Sequence, residues 1–427
     1  MTVMQKEIDV ALRYHQAGDF ENARVCYRKI LNRFPDDYDA LHMLGVLNYQ
    51  TGNYDRAIAL LEKAIKQNIC AEVLVNLGNV FTARGDISKA RDAFLHAVKL
   101  NKNMALAHFN LGNTYKLLED NNKAIESYKC AIEIAPDYYD AIHNIAILYK
   151  STGMYDEAEQ AGLKATALNP NNAEAQFNLA GVYTRLGKKA ESISAYEKTL
   201  KLDPDNMTAS HLLSALTGIT PEKPPNKYIA DLFDDCASTF DDQLINKLKY
   251  RTPQIIFNSV VSLTDKDKLY KMLDLGCGTG LCGKLLKQHA SYLAGVDLSS
   301  NMVDIARELN VYHDLQVADI QSYLDSTKTD FDIVISADVF VYVGELEPVF
   351  KRCKSKMKKK GLFVFSIEEY EGDGYKLLDT GRYAHSVDYI REISDRVGFS
   401  EISVESLVLR EQAGKPIHGC IFILENR

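Results

Sequence analysis

The sequence has little that would tie it to a membrane, a nucleic acid or an oxidising compartment. No apolar run approaches the roughly 20 residues needed to span a bilayer, so no membrane span is expected; residues Met1 to Arg13 also lack a signal-peptide core. Positive charge is not in excess: 50 Lys and Arg against 58 Asp and Glu leave a net charge of −8. That balance argues against a nucleic acid partner. The eight cysteines are scattered, with no C-x-x-C pair and no clustered Cys/His set, so neither disulfides nor a metal are expected. Reduced thiols suit a cytoplasmic location. Tryptophan is absent, with no structural consequence. Proline numbers only 10, and Pro221, Pro224 and Pro225 fall in one short stretch.

What remains is ordinary for a soluble globular chain, with 46% hydrophobic and 25% charged residues. A length of 427 residues predicts two or three domains. The first half repeats itself. Glycines at 18 and 52, and at 153 and 187, stand 34 apart; so do alanines 90, 124 and 158 and prolines 136, 170 and 204. Leu-Gly pairs at 44–45, 77–78 and 111–112 precede a glycine and an aromatic, then alanines, in the order of the tetratricopeptide repeat. About six helix pairs are predicted between residues 6 and 204, with a cap helix from His211 to Thr217. Such pairs bury their apolar faces only by stacking. The expected division is a solenoid over 1–217, a linker over 218–227 and a second domain over 228–427.

Asn76, Asn110, Asn144 and Asn178 occupy one position in four consecutive repeats and should form a ladder along one side of the solenoid. Carboxamides offer donors and acceptors together, so such a row can bracket an extended peptide backbone. The ladder is similar to that of the O-GlcNAc transferase superhelix. The plainer reading is a row of polar side chains facing water. A protein or peptide partner is expected to use the solenoid.

The second half is organised around Lys271–Gly283, K-M-L-D-L-G-C-G-T-G-L-C-G. A short apolar strand breaks into Gly276, Gly278 and Gly280 and reopens as a helix from Leu281 to His289. That turn brings backbone close to a ligand beside a helix N-terminus, at the carboxyl edge of an open α/β sheet. Gly278 to Gly283 also satisfies the dinucleotide pattern G-x-G-x-x-G, which leaves NAD as a competing ligand. Asp297 ends the next strand and is placed to accept hydrogen bonds from ribose hydroxyls; Asp319 follows the third.

The string Asp274, Gly276, Gly278, Gly280 resembles motif I of class I S-adenosylmethionine-dependent methyltransferases. The segment Tyr228–Asp241, continuing to Leu248-Lys-Tyr250-Arg251-Thr-Pro253, and Gly381-Arg-Tyr-Ala-His385-Ser resemble bacterial predicted methyltransferases that carry tetratricopeptide repeats. Their catalytic half is related to trans-aconitate and malonyl-carrier methyltransferases. The resemblance implies an all-α solenoid followed by a Rossmann-like α/β methyltransferase domain, with S-adenosylmethionine as cofactor. It implies cofactor contacts at Asp274, Gly276, Gly278, Gly280, Asp297, Leu298, Asp319, Ile320 and Ala337, the acid at 319 reading the adenine amino group. It also implies a leading helix folded over the cofactor, whose usual tyrosine is replaced here by Cys236.

For the acceptor side, Arg382 and Arg410 are candidate clamps for a carboxylate, by the bidentate fit of guanidinium to carboxylate. Tyr342, Glu368 and Tyr370 sit at strand ends on the catalytic edge. His385 is either a general base or a packing residue at a helix start. Lys351 to Lys360 holds seven basic residues in ten; a solvated helix end before Gly361 is expected there, with a nucleic acid groove as the alternative. Three functions follow: methylation of a small molecule or carrier-linked acid, methylation of a protein or peptide delivered by the ladder, or a non-catalytic repeat scaffold.

Overall fold

The computed structural model describes the chain apart from residues 1–2, 235, 243, 245–249 and 413–414. Leu248 and Lys249 of the leading motif therefore lie outside the described residues. The chain divides into two compact units, Met1–Ala195 and Tyr196–Arg427. Among the described residues no helix is long and apolar enough to cross a membrane.

Six consecutive helix pairs run from Val3–Gln16 with Phe20–Arg33 to Ala173–Arg185 with Lys189–Leu202. The Leu-Gly pattern has a packing cause. A Cβ on Gly78 would lie 2.5 Å from the Phe94 ring, and one on Gly112 would lie 2.7 Å from the Tyr128 ring. In these pairs the helices approach closely only because the first helix lacks a side chain there; the fifth and sixth pairs carry the small Ala146 and Ala180 instead. The turn within each pair uses left-handed backbone at Gly18, Gly52, Gly85, Gly153 and Gly187; in the fourth repeat Glu119 holds that place with φ 60°. An alanine-rich core, including Ala57, Ala90, Ala124 and Ala158, is wholly buried.

The second unit is built on a seven-stranded sheet in the order β3-β2-β1-β4-β5-β9-β8. Strands β1 (Tyr270–Leu275), β2 (Ala290–Asp297), β3 (Asp314–Val317), β4 (Phe331–Ser336) and β5 (Met357–Glu368) run parallel. A small separate sheet pairs β6 (Tyr375–Leu377) with β7 (Tyr383–His385). Strand β9 (Lys415–Asn426) is antiparallel to β5, and β8 (Phe399–Gln412) to β9. Phe340, Phe350, Phe363, Phe365 and Phe422 fill one face of the sheet with edge-on and stacked ring contacts. The chain order reverses between β1 and β4, which opens a crevice at their carboxyl ends.

Several boundaries differ from expectation. The helix after the glycines stops at Leu286, and Lys287–His289 forms a tight turn. β5 begins at Met357, so Lys358 to Lys360 belong to a strand and not to a helix end. An irregularity in the β4–β5 register, with Lys360 at φ 61°, lets the strand continue beyond its buried part. The basic residues have local partners: Lys351 with Glu347 at 2.8 Å, Arg352 with Asp325 at 2.9 Å and Lys358 with Asp332 at 2.8 Å.

Candidate active site

The glycine loop is held in shape by its own acid. Gly276, Gly278 and Gly280 have φ of 67°, 52° and 92°, values that side chains other than glycine rarely take. Asp297 at the end of β2 accepts from Gly278 N at 2.9 Å and from Ser299 N at 3.0 Å. Burial raises its pKa, while those backbone bonds act in the opposite direction. Leu298 N–H also bonds this carboxylate, which leaves it about one acceptor site for a ligand hydroxyl. Asp319 caps helix Ile320–Ser326 through Oδ1 alone, accepting from Gln321 N at 3.0 Å and Ser322 N at 3.2 Å.

A cavity of about 310 Å³ opens beside this loop. Its side toward the glycine loop is lined by Gly276, Cys277, Gly278, Asp297, Leu298, Asp319, Ile320 and Ala337. Its other side is lined by Ile229, Leu232, Phe233, Phe240, Tyr250, Val341 and Tyr342, with Arg382 and Arg410 as its cations together with Lys223. The leading segment thus covers the site, and Cys236 lines it as well. Two carboxylates fasten that cover: Asp234 accepts from Ser299 Oγ and from Asn301 N at 3.1 Å, and Asp241 accepts from Thr279 Oγ1 at 2.6 Å. Tyr228 instead packs inward, its ring 4.8 Å from that of His211.

The Pro-rich stretch expected as a linker is also part of this unit. Glu222 O accepts from Glu345 N at 2.8 Å, Thr220 Oγ1 accepts from Leu377 N at 3.3 Å, and Lys223 and Pro224 line the cavity. His211 in helix Met207–Thr217 bonds Gly381 O through Nε2 at 3.0 Å, next to Arg382.

Not every residue expected at the site reaches the cavity. Asp274 and Gly280 are not among its lining residues. Asp274 is buried beneath the loop, accepts from Tyr312 OH at 2.6 Å, and has its pKa raised to about 7 by loss of water. A side chain enclosed in this way supports the loop and does not touch a ligand. His385 is wholly buried, with Nε2 on Gly344 O at 2.8 Å and its ring stacked on Tyr389. Burial lowers its pKa to about 4, and the general-base role is corrected to packing. Tyr370 lies outside the cavity, against Gly372. Glu368 is buried behind the wall, bonded to Arg410 Nη2.

Arg410 also bonds Asp338 Oδ2 at 2.9 Å, so its guanidinium is already committed to two carboxylates. Burial disfavours its charge, but those two acids outweigh that and raise its pKa. Asp338 has left-handed backbone at φ 56°, fixed by Ser366 Oγ, which accepts from its N–H and donates to Oδ1 at 2.7 Å each. Arg382 lies 3.7 Å from Glu368 and faces the cavity. Tyr342 also faces it; burial raises the pKa of this phenol. Sequence reasoning missed Phe233, Tyr250 and Thr279; the first two stand in the leading motif and the last within the glycine loop.

In the first unit the four ladder asparagines are half-buried and bonded across repeats. Asn76 bonds His42 at 2.8 Å, Asn110 donates to Asn79 at 3.0 Å, Asn144 donates to Asn113 at 3.0 Å, and Asn178 accepts from Lys150 at 3.0 Å. One polar atom of each is spent on stitching neighbouring repeats, so a partner would meet only what remains.

Residues 273–365 match a family described as a methyltransferase domain. Residues 10–69, 78–119, 105–138 and 143–206 match tetratricopeptide repeat families. A stretch of 101 residues is 30% identical to the ubiquinone biosynthesis O-methyltransferase of Coxiella burnetii (strain RSA 493 / Nine Mile phase I), covering 22% of this chain and 42% of that protein. The protein of the same name from Glaesserella parasuis serovar 5 is 27% identical over 119 residues, covering 26% and 50%. The chain therefore spans only about half or less of the length of these curated relatives. Among solved structures, MamA is 29% identical over 41% of this chain and 98% of that chain, with a TM-score of 0.36. The chain thus joins tetratricopeptide repeats in its first half to a methyltransferase domain in its second.

Proposed function

We propose that the chain is an S-adenosylmethionine-dependent methyltransferase acting on a small-molecule or carrier-linked acid, with the repeats docking a partner or the substrate. The observation that carries this reading is the Gly276–Gly278–Asp297–Asp319 cradle opening into an apolar cavity that contains Arg382. The cradle fits the cofactor's nucleoside: Asp297 retains acceptor capacity for a ribose hydroxyl, and Asp319 spends only Oδ1 on its cap. Bound there, the cofactor supplies a methyl group on an already activated sulfonium.

The protein's share is to exclude water and fix direction. Phe233, Phe240 and Tyr250 close the site, and holding the reacting atoms in line can be worth about 7–11 kcal/mol. A carboxylate acceptor brings its own nucleophilic oxygen and needs no base, which agrees with the withdrawal of His385. Arg382, beside Glu368 at the cavity wall, brings a guanidinium charge to such an acceptor. The relatives named for O-methylation support oxygen as the acceptor atom.

Calorimetric titration of S-adenosylmethionine and of NAD into the full chain tests the reading. The expected result is binding of the first alone, weakened at least about tenfold by Asp297→Ala, a loss of roughly 1.4 kcal/mol or more. Binding of NAD instead would overturn it. The asparagine ladder supports a second reading, in which the acceptor is a peptide segment held along the repeats. Asn110→Ala with Asn144→Ala separates the two: turnover in cell extract survives the change if the acceptor is a small molecule.

A further inference from the structure

The ladder changes character at its far end. Asn110 and Asn144 each donate to an asparagine, Asn79 or Asn113, set three residues after the ladder residue of the preceding repeat. In the fifth repeat that position is Ile147, which has no side-chain acceptor, and in the sixth it is Gly181. Lys150 takes over. Its ammonium donates to Asn178 Oδ1 at 3.0 Å and occupies the space over Gly181, where an added Cβ would lie 3.2 Å from Nζ. The charge also stands 5.8 Å from the centre of the Phe177 ring.

The site is unbalanced in charge. Among the described residues Lys150 has no carboxylate partner, only a neutral amide and a ring. Arg185, exposed and close enough for its charge to bear on Lys150, adds a second cation. Glu174, on the same helix as Asn178, lies 3.5 Å from His143. Burial and the like charge of Arg185 both press the Lys150 pKa down, which a carboxylate would reverse. Lys150, Asn178 and Gly181 are each partly exposed, and Arg185 beside them is exposed.

We propose that Lys150, with Arg185, receives an acidic side chain of an extended peptide partner lying along the asparagine ladder. This rests on the reading of the repeats as a docking platform and adds what that platform selects. Asparagines address a backbone without regard to sequence, whereas a half-buried ammonium with no counter-charge discriminates by charge.

The test uses the full chain and two fluorescein-labelled heptapeptides, Gly-Ser-Glu-Glu-Glu-Ser-Gly and its counterpart with Gln for Glu. The expected result is affinity about tenfold higher for the acidic peptide, falling with added salt. Lys150→Met should erase that preference, and Gly181→Ala, which crowds the ammonium, should weaken it. Lys164→Met, which removes an exposed lysine elsewhere on the solenoid, should leave it intact. Helical content and melting of each variant confirm that the repeats remain folded. Equal affinity for the two peptides, no binding of either, or the same loss from Lys164→Met as from Lys150→Met would overturn the proposal. S-adenosylmethionine titrated into the same samples keeps the two readings apart, because a failure of cofactor binding with the peptide preference intact counts only against the methyltransferase reading.

Discussion

Asp274 is an acid that folding removes from water, and the consequence is readable as a function of pH. Its carboxyl titrates near 3.8 when exposed and at about 7 in the folded chain, first because of burial and secondly because Asp297 lies near. The folded state therefore resists its ionisation, and stability falls as pH rises from about 4 to about 7, then levels. Asp274→Asn keeps an acceptor for Tyr312 and removes that loss. Its gain in unfolding free energy over the parent should be small at pH 4 and grow by up to about 4 kcal/mol by pH 8. Denaturant titrations at four pH values check this; a pH-independent difference would refute it. Arg410 gives the opposite case. Arg410→Met leaves half-buried Asp338 without its cation and buried Glu368 with only Arg382 at 3.7 Å, and should cost about 3 kcal/mol. Adding Glu368→Gln and Asp338→Asn should recover most of that loss in urea unfolding. Residues such as Asp297 and Asp319 were legible in the sequence because each follows a strand at a fixed place. The enclosure of Asp274 was not, because it depends on Tyr312, 38 residues away.

Elements were legible where a period or a run of one type wrote them. The six helix pairs follow from the 34-residue spacing, and β4 from its β-branched run. The small β6–β7 sheet was not anticipated, because its three-residue strands are too short to carry a period and depend on the turn around Gly381. The Pro-rich stretch looked like a free linker, yet its carbonyl at Glu222 is fixed to the backbone of Glu345. Proline content reports a stiff chain, not a detached one. The repeats also expose their own exception. Glu119 occupies the left-handed turn position that five other repeats give to glycine. That conformation costs a residue with a side chain about 1 kcal/mol or more. Glu119→Gly should therefore raise the unfolding free energy of the repeats, and with it their midpoint, by roughly 0.5 kcal/mol after the entropy of the new glycine is deducted. A lower midpoint would mean that the Glu119 side chain contributes more than its backbone costs.

At the scale of the whole molecule, the two proposed sites stand apart along the chain, each within one unit. The cradle of Gly276, Gly278, Asp297 and Asp319 lies entirely in the second unit, and the asparagine ladder with Lys150 lies entirely in the first. A ligand that binds only the folded state slows local opening where it binds, by RT ln(1 + [L]/Kd), or about 2.7 kcal/mol at a hundredfold excess over Kd. Hydrogen exchange read by mass spectrometry should then give two footprints on one chain. S-adenosylmethionine should protect amides around 276–280, 297–301 and 319–322, where Gly278 N and Ser299 N bond Asp297 and Ser322 N bonds Asp319. The leading segment, over 229–234 and 236–241, should slow with them, because Asp234 and Asp241 fasten it to that loop and helix. If that segment exchanges as fast with cofactor as without, then the cover is not closed by the nucleoside, and its apolar side chains serve the acceptor alone.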